Sequence, residues 1–598
     1  MNRFLLKLRR QSVLKLSKLW NRKFGNRSRI AALAMLIGFT AAVASGVLHA
    51  LVKLLEKFSV SLQTHGKWGI ILFLLLPLSG VVLSFFAQRL FGGPRYAKSL
   101  SPLILALHRR KTGIPLRETF NHIISSALAV GLGGSAGLEA PSVLTGAAIG
   151  ANTSGFFGAD RREKILMIGC GAAAAISAIF NSPIGGVLFA VEVLLPGFSV
   201  GALVPMLISS AVAMVTARVL FHHELALPAI PVPWENSAVP FYFFCGLFCA
   251  VIGVFVIRLV YGLTAFIKRK IASPHRRVFA GGMTLCVLLA FFPVLRGQGY
   301  SFVMGLFSGE MDKVAAGSPF LGHLPFPMVA VLVIFAAIFI KAAASVLTVE
   351  CGGDGGIFAP TMFIGAFTGF AFARLVNLSG LASLQEANFV VIGMCGVFSA
   401  VLRAPLTGVF LIAEVTGSYI LLVPLMIVSA VSWAAARHFE AHSIYRKALA
   451  ESGVISDDRD QSMLQTLAVR VCVDSNFIAL SSEASVHQIR DIVENNPGHE
   501  FFPVLDNEKK LLGIVRLEQV TPVLFEPLLA ESLLIFDLME SPRTVLSEDD
   551  DLARAVTALE RCKTDFLPVK KLNGKFMGFV SAQDIFKLYR GLVRSEDY

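Results

Sequence analysis

The sequence predicts an α-helical polytopic membrane protein made of two repeated halves, followed by a smaller α+β domain pair at its C-terminal end. Three observations carry this. The chain of 598 residues is 55% hydrophobic with a mean hydropathy of +0.68, which is more apolar than a soluble chain of this size, so most of it faces lipid or a membrane-embedded core. Apolar stretches near bilayer-crossing length recur from Ile30 to about Ala436, and the composition beyond them is that of a soluble protein. Within each of these two regions, stretches of sequence match one another in order.

Taken in chain order, residues 1–28 form a basic N-terminal segment, with nine Lys/Arg and no acid. Its apolar residues (Phe4, Leu5, Leu8, Leu14, Leu16) leave two readings open, a targeting peptide or a cytoplasmic anchor on anionic lipid. No small-residue cleavage site follows a short apolar core, which favours the anchor. Residues 29–447 are assigned to the transmembrane domain and 448–465 to a linker. Residues 466–598 form the soluble pair, divided at about 466–526 and 533–598. The basic runs Lys268-Arg269-Lys270 and His275-Arg276-Arg277 lie between apolar spans. By the positive-inside rule they are cytoplasmic, and both termini are expected on that side of a cell (inner) membrane. The formal charge of +14 sits at span ends and is not interleaved with stacking aromatics, so a nucleic-acid partner is not expected. The eight cysteines lack paired metal-ligand spacing and read as packing residues in a reduced compartment, so no metal site is expected.

The membrane part repeats itself. Ser177-Ala178-Ile179-Phe180-Asn181-Ser182-Pro183 through Gly186 to Glu192-Val193 runs parallel to Ser399-Ala400-Val401-Leu402-Arg403-Ala404-Pro405 through Gly408 to Glu414-Val415. Upstream, Gly137-Leu138-Glu139-Ala140-Pro141 pairs with Gly356-Ile357-Phe358-Ala359-Pro360, and Gly146 and Gly150 then meet Gly365 and Gly369. Such repeats mark transporter folds, with the substrate site near the midplane where the halves meet. Pro favours the first helical position and Gly a tight entry, so each segment is expected to start a helix inside the membrane. The N–H groups of its first turn then face a cavity. Helix starts of this kind bind anions, and several aimed at one point make an anion site without Lys or Arg.

Four motifs share this character and follow in order: Thr112-Gly113-Ile114-Pro115, Gly137-Leu138-Glu139-Ala140-Pro141, Gly355-Gly356-Ile357-Phe358-Ala359-Pro360, and Thr416-Gly417-Ser418-Tyr419 before an apolar segment. Here the chain resembles the CLC family of chloride channels and exchangers, whose patterns GSGIP, G(K/R)EGP, GxFxP and a late tyrosine occur in the same order. The resemblance implies the CLC fold with two inverted repeats, a homodimer with one anion pathway per subunit in the lipid bilayer, and chloride as the transported ion rather than any enzymatic reaction. It also implies roles by position. The hydroxyls of Thr112, beside Gly113, and of Tyr419 would donate to a central chloride. The amides of Ile357 and Phe358 would complete that site, and those of Leu138 and Glu139 an outer one. Glu139 would be the gating glutamate. The physical reading agrees, because a carboxylate within a span costs about 2.5–3.5 kcal/mol on insertion scales and calls for a reason.

Departures from the family pattern matter as well. Leu138 replaces the basic residue before the glutamate, Ala140 the following glycine, Lys111 the glycine before the filter hydroxyl, and Leu116 the acid after the proline. Lys111 reads either as a source of positive potential for chloride or as the end of the cytoplasmic His108-Arg109-Arg110 run. Family exchangers carry a further inner glutamate, and its position here is Val193. An apolar side chain cannot accept a proton, so the two-glutamate relay is broken. The sequence therefore leans to a passive gated chloride channel, with a chloride/proton exchanger as the alternative.

The tail contains the second repeat, Phe502-Pro503-Val504 to Gly513-Ile514-Val515 against Leu567-Pro568-Val569 to Gly578-Phe579-Val580. It resembles a tandem pair of CBS domains. Gly578-Phe579-Val580-Ser581-Ala582-Gln583-Asp584 fits the pattern in which, by that resemblance, Asp584 binds a ribose and Ser581 a phosphate. In the first half Arg516 and Gln519 stand at those places. The pair reads either as an adenine-nucleotide site or as a packing and dimerisation module. Two rivals remain outside the family. A CBS-regulated cation transporter would need converging acids, and a membrane enzyme would need a catalytic motif that the sequence lacks.

Overall fold

The computed structural model describes residues 26–92, 98–109, 111–195, 200–222, 227, 232–307, 325–452, 464, 467–487, 490–495, 499–526, 530 and 532–596. Residues 1–25 of the expected basic segment, and most of the expected linker, lie outside them. The chain divides into two compact units, Met1–Val454 and Ile455–Tyr598.

Apart from its connections and one isolated β-bridge, the first unit is helical in its described residues. Its first half runs α1 (Asn26–Ser61), α2 (Gly66–Ala87), α3 (Ser101–His108), α4 (Glu118–Gly131), α5 (Glu139–Phe156), α6 (Arg161–Phe180), α7 (Pro183–Phe189) and α8 (Leu203–Phe221). The second half runs α9 (Val239–Lys270), α10 (Pro274–Phe291), α11 (Tyr300–Phe307), α12 (Phe326–Phe335), α13 (Lys341–Glu350), α14 (Phe358–Leu378), α15 (Glu386–Leu402), α16 (Pro405–Thr416), α17 (Leu422–Phe439) and the short α18 (Lys447–Glu451). Eight helical stretches among the described residues are long and apolar enough to cross a membrane, while α7 with its π-helical continuation, α15 and α16 are apolar but shorter. The short ones put helix ends inside the unit, which lipid tolerates only where protein covers them.

The sequence repeat becomes a structural one, residue for residue. In both halves a left-handed residue ends one helix, Asn181 (φ 55) after α6 and Arg403 (φ 59) after α15. An extended residue follows, Ser182 or Ala404, and then Pro183 or Pro405 opens α7 or α16 at its first position, where a missing N–H costs nothing. The paired glycines do the same work twice. A methyl group at Gly146 would strike the Gly171 carbonyl, and one at Gly365 the Gly393 carbonyl; Gly150 and Gly369 face Met167 and Phe389 likewise. Bare backbone at these points lets α5 lie against α6, and α14 against α15, at a distance no larger residue permits. All eight cysteines are unbridged, and the six in this unit are buried.

In the second unit, β1 (Leu480–Ser481), β2 (Phe501–Leu505) and β3 (Leu511–Arg516) form one sheet, and β4 (Leu546–Ser547), β5 (Phe566–Lys570) and β6 (Phe576–Ser581) the other. Each has a parallel then an antiparallel pairing with equivalent register, Phe501 opposite Arg516 and Phe566 opposite Ser581, and an irregularity at the same step. Helices α19 (Arg490–Asn495), α20 (Leu517–Leu524), α21 (Ile535–Leu538), α22 (Leu552–Cys562) and α23 (Ala582–Glu596) complete the two halves. Each half buries its own apolar cluster, around Phe502, Val504 and Val515 in one and around Leu567, Val569 and Val580 in the other.

Candidate functional site

The helix starts expected to face one another do so. Leu138 precedes α5, whose first residue is Glu139; Ile357 precedes α14, whose first residue is Phe358. Just upstream, Gly137 and Gly356 exchange both backbone hydrogen bonds, each at 2.8 Å, as an isolated antiparallel pair. This pairing fixes the two starts side by side and leaves the N–H groups of their first turns without intrahelical partners. Phe358 is held by an aromatic cluster, stacked on Phe180 at 5.5 Å and edge-on to Phe189 and Phe398 at 5.6 and 4.8 Å.

The Glu139 side chain is wholly buried. One carboxylate oxygen accepts from the Ala359 N–H of the opposite helix at 3.3 Å, and the other accepts from the Tyr300 hydroxyl at 3.2 Å. The carboxylate therefore lies where two helix N-termini direct positive potential, each equivalent to about half a charge. Chemically, this is a place for one small anion, and the side chain of Glu139 is that anion here.

The remaining predicted residues are placed unequally. Thr112 is half-buried in the extended stretch between α3 and α4, with Gly113 exposed beside it. Lys111 is exposed, and its N–H closes the end of α3 on the Ala106 carbonyl at 2.7 Å. Two tyrosines differ in their surroundings. Tyr419, 48% exposed, lies between α16 and α17 within electrostatic reach of Glu414 rather than Glu139. The interior phenol is Tyr445, 5% exposed, close enough to Glu139 to feel its charge. Its hydroxyl is buried with no hydrogen-bond partner among the described residues, and Ser101 at the start of α3 binds its carbonyl at 2.7 Å. The motif-based reading took the phenol at the end of the second repeat; Tyr445 lies just past the last apolar span. Tyr300 was missed because it belongs to no repeated motif.

Val193 is buried in the π-helical turn that continues α7. The neighbouring acids have structural partners. Glu192 accepts from the Leu406 and Thr407 N–H groups at 3.1 and 2.7 Å and from the Thr407 hydroxyl at 2.6 Å. Glu414 reciprocates on α7, accepting from Ile184 and Gly185 N–H at 3.2 and 2.9 Å and from the Ser182 hydroxyl. Each half thus caps a broken helix of the other with a carboxylate. A third buried group joins α4 to the second helix start: His122 lies 3.2 Å from Glu118 and 3.0 Å from Asp354, and the Ser125 hydroxyl donates to Asp354.

In the second unit, the Ser581 hydroxyl donates to Asp584 at 2.6 Å and accepts the Asp584 N–H at 3.1 Å, capping α23. At the equivalent place Arg516 offers its N–H to Gln519 at 3.1 Å, and Gln519 donates to Glu540 at 2.6 Å. Nearby, Cys472 is half-buried, and burial together with the Asp584 charge pushes its thiol up to about 11.

Comparison with known proteins fits this geometry. The sequence profile of the family described as "Voltage gated chloride channel" matches residues 79–437, and that of the CBS domain matches residues 469–526 and 535–591. The chain is 29% identical over 330 residues to the voltage-gated ClC-type chloride channel ClcB of Escherichia coli O81 (strain ED1a), covering 54% of this chain and 74% of that one. It is 27% identical over 347 residues to a putative chloride channel protein, ClcB-like, of Ralstonia nicotianae, covering 56% and 76%. Among solved structures, a slow cyanobacterial Cl-/H+ antiporter superposes with a TM-score of 0.61 at 22% identity, over 72% of this chain and 99% of that one. A eukaryotic CLC transporter superposes with a TM-score of 0.60 at 19% identity, over 93% and 98%. The chain belongs to the voltage-gated chloride channel (CLC) family and carries two CBS domains after its membrane part.

Proposed function

We propose that this chain conducts chloride passively across a cell membrane, as a homodimer with one pathway per subunit, and that Glu139 is the gate. The observation that carries this reading is the Glu139 carboxylate resting on the Ala359 N–H at the start of the opposite helix. A carboxylate that occupies an anion's place competes with chloride while charged and withdraws when a proton removes its charge. The amides at Leu138, Ile357 and Phe358 supply the donors on either side of it. Tyr445, in place of Tyr419, supplies the interior hydroxyl, with Thr112 as the other donor. Val193 supports uncoupled flow, since it offers no site for an incoming proton. Ser581 and Asp584 provide the intact polar half of an adenine-nucleotide site in the CBS pair.

One observation favours the alternative of chloride/proton exchange. The buried Glu118–His122–Asp354 group is a chain of titratable side chains leading from the element after Thr112 towards the second helix start. Reversal potentials in opposed chloride and proton gradients separate the two. A value that follows chloride alone supports the channel, and one displaced by the proton gradient means coupled exchange. In either case Glu139→Gln carries an uncharged side chain at the gate, and its chloride flux is expected to lose its dependence on pH.

A further inference from the structure

Lys341 is the first residue of α13, directly after the π-helical turn Ala336–Ile340 that joins it to α12. Its side chain is completely buried. A buried ammonium is expected to face a carboxylate, yet Lys341 has none among the described residues. Its Nζ donates to the carbonyls of Leu295 and Gly297 at 2.9 and 2.8 Å and lies 4.8 Å above the Phe363 ring. What it holds is therefore a loop. That loop is shaped for the purpose: Gly297 and Gly299 have φ of +55° and +89°, values that L side chains rarely adopt, and a methyl group at Gly299 would also meet the Phe363 ring. Between them and α2, the Arg296 guanidinium stacks 3.6 Å from the Phe73 ring and donates to the Phe73 carbonyl at 3.1 Å. The loop is thus clamped from two sides, and the next residue is Tyr300, whose hydroxyl donates to Glu139.

We propose that Lys341, the Leu295–Gly299 loop and Tyr300 form a latch on the Glu139 carboxylate, which sets the pH at which that carboxylate lets go of its place between the helix starts. The proposal rests on the reading of Glu139 as the gate. Tyr300 touches the gate, and Lys341 is a positioning residue that acts through the loop. A phenol that donates to the charged carboxylate stabilises that form, and it does so only if held in place, since hydrogen bonds weaken steeply with misalignment. Among the described residues, the other titratable group that feels Glu139 is Tyr445, and the polar contacts of Lys341 are the two carbonyls and the ring, so its effect reaches the gate by geometry.

The test is chloride efflux from liposomes holding the full-length protein, measured against pH. Tyr300→Phe removes one hydroxyl and is expected to move the midpoint of activation to higher pH by about one unit, the size expected for a hydrogen bond to a charged group. Lys341→Met is expected to move it the same way, Lys341→Arg to restore it, and the Tyr300→Phe/Lys341→Met double variant to move it no further than Tyr300→Phe alone. An unchanged or lowered midpoint in Tyr300→Phe, or full additivity in the double variant, overturns the latch. If Lys341→Met fails to fold, Tyr300→Phe decides by itself. Glu139→Gln separates the two ideas. A flat pH profile there with an unmoved Tyr300→Phe sinks the latch alone, whereas a wild-type profile in Glu139→Gln sinks the gate and the latch with it.

Discussion

At the scale of single residues, the proposed site turns on which hydroxyls are buried. Tyr445 is buried with its hydroxyl unbound among the described residues, whereas Tyr419 stands half in the open. Removing a hydrogen bond to an ion weakens binding by about tenfold or more. Tyr445→Phe is therefore expected to lower chloride affinity by at least that factor in isothermal titration, and Tyr419→Phe to leave it unchanged. Glu139 was legible in the sequence because a carboxylate beside a Gly-Pro helix start has few other reasons to be in a membrane. Tyr445 was not, because a lone phenol past the last span carries no pattern; only the fold brings it back towards Glu139. Tyr300 and Lys341 were hidden for the same reason: Tyr300 reaches Glu139 across 161 residues, and Lys341 holds backbone carbonyls 44 and 46 residues away, contacts that sequence patterns do not encode.

At the scale of elements, the recurring glycines were the most legible feature, and their use is now physical. Gly146 and Gly365 each face a carbonyl of the next helix, so any side chain there must push two helices apart. Gly146→Leu is expected to destabilise the membrane unit by about 1–3 kcal/mol. Gly262→Leu in α9, where the space is open, is expected to be neutral, and thermal unfolding in detergent compares the two directly. The reciprocal caps by Glu192 and Glu414 were only half readable. Their matched positions in the repeat were visible, but that each reaches into the other half follows from the inverted arrangement, which composition and spacing do not show.

At the scale of the whole molecule, two duplications organise the chain, one in each unit, and both were visible as matched Gly and Pro positions. The copies have since diverged in the polar residues that matter. In the membrane unit, one helix start keeps a carboxylate, Glu139, and the other presents Phe358 in its place. In the CBS pair, one half keeps Ser581 and Asp584 while the other has Arg516 and Gln519. Titrating the full-length protein with ATP, ADP and AMP is expected to show binding that Asp584→Ala abolishes; no heat of binding from the wild type would leave the pair as a packing module. The central claim is that one anion place, shared by two helix starts and now filled by Glu139, is the chloride pathway. Anomalous diffraction from Glu139→Gln crystals soaked in bromide tests it most directly. A bromide peak within hydrogen-bond reach of the Ala359 amide is the result expected, and bromide bound elsewhere with that place empty would contradict it.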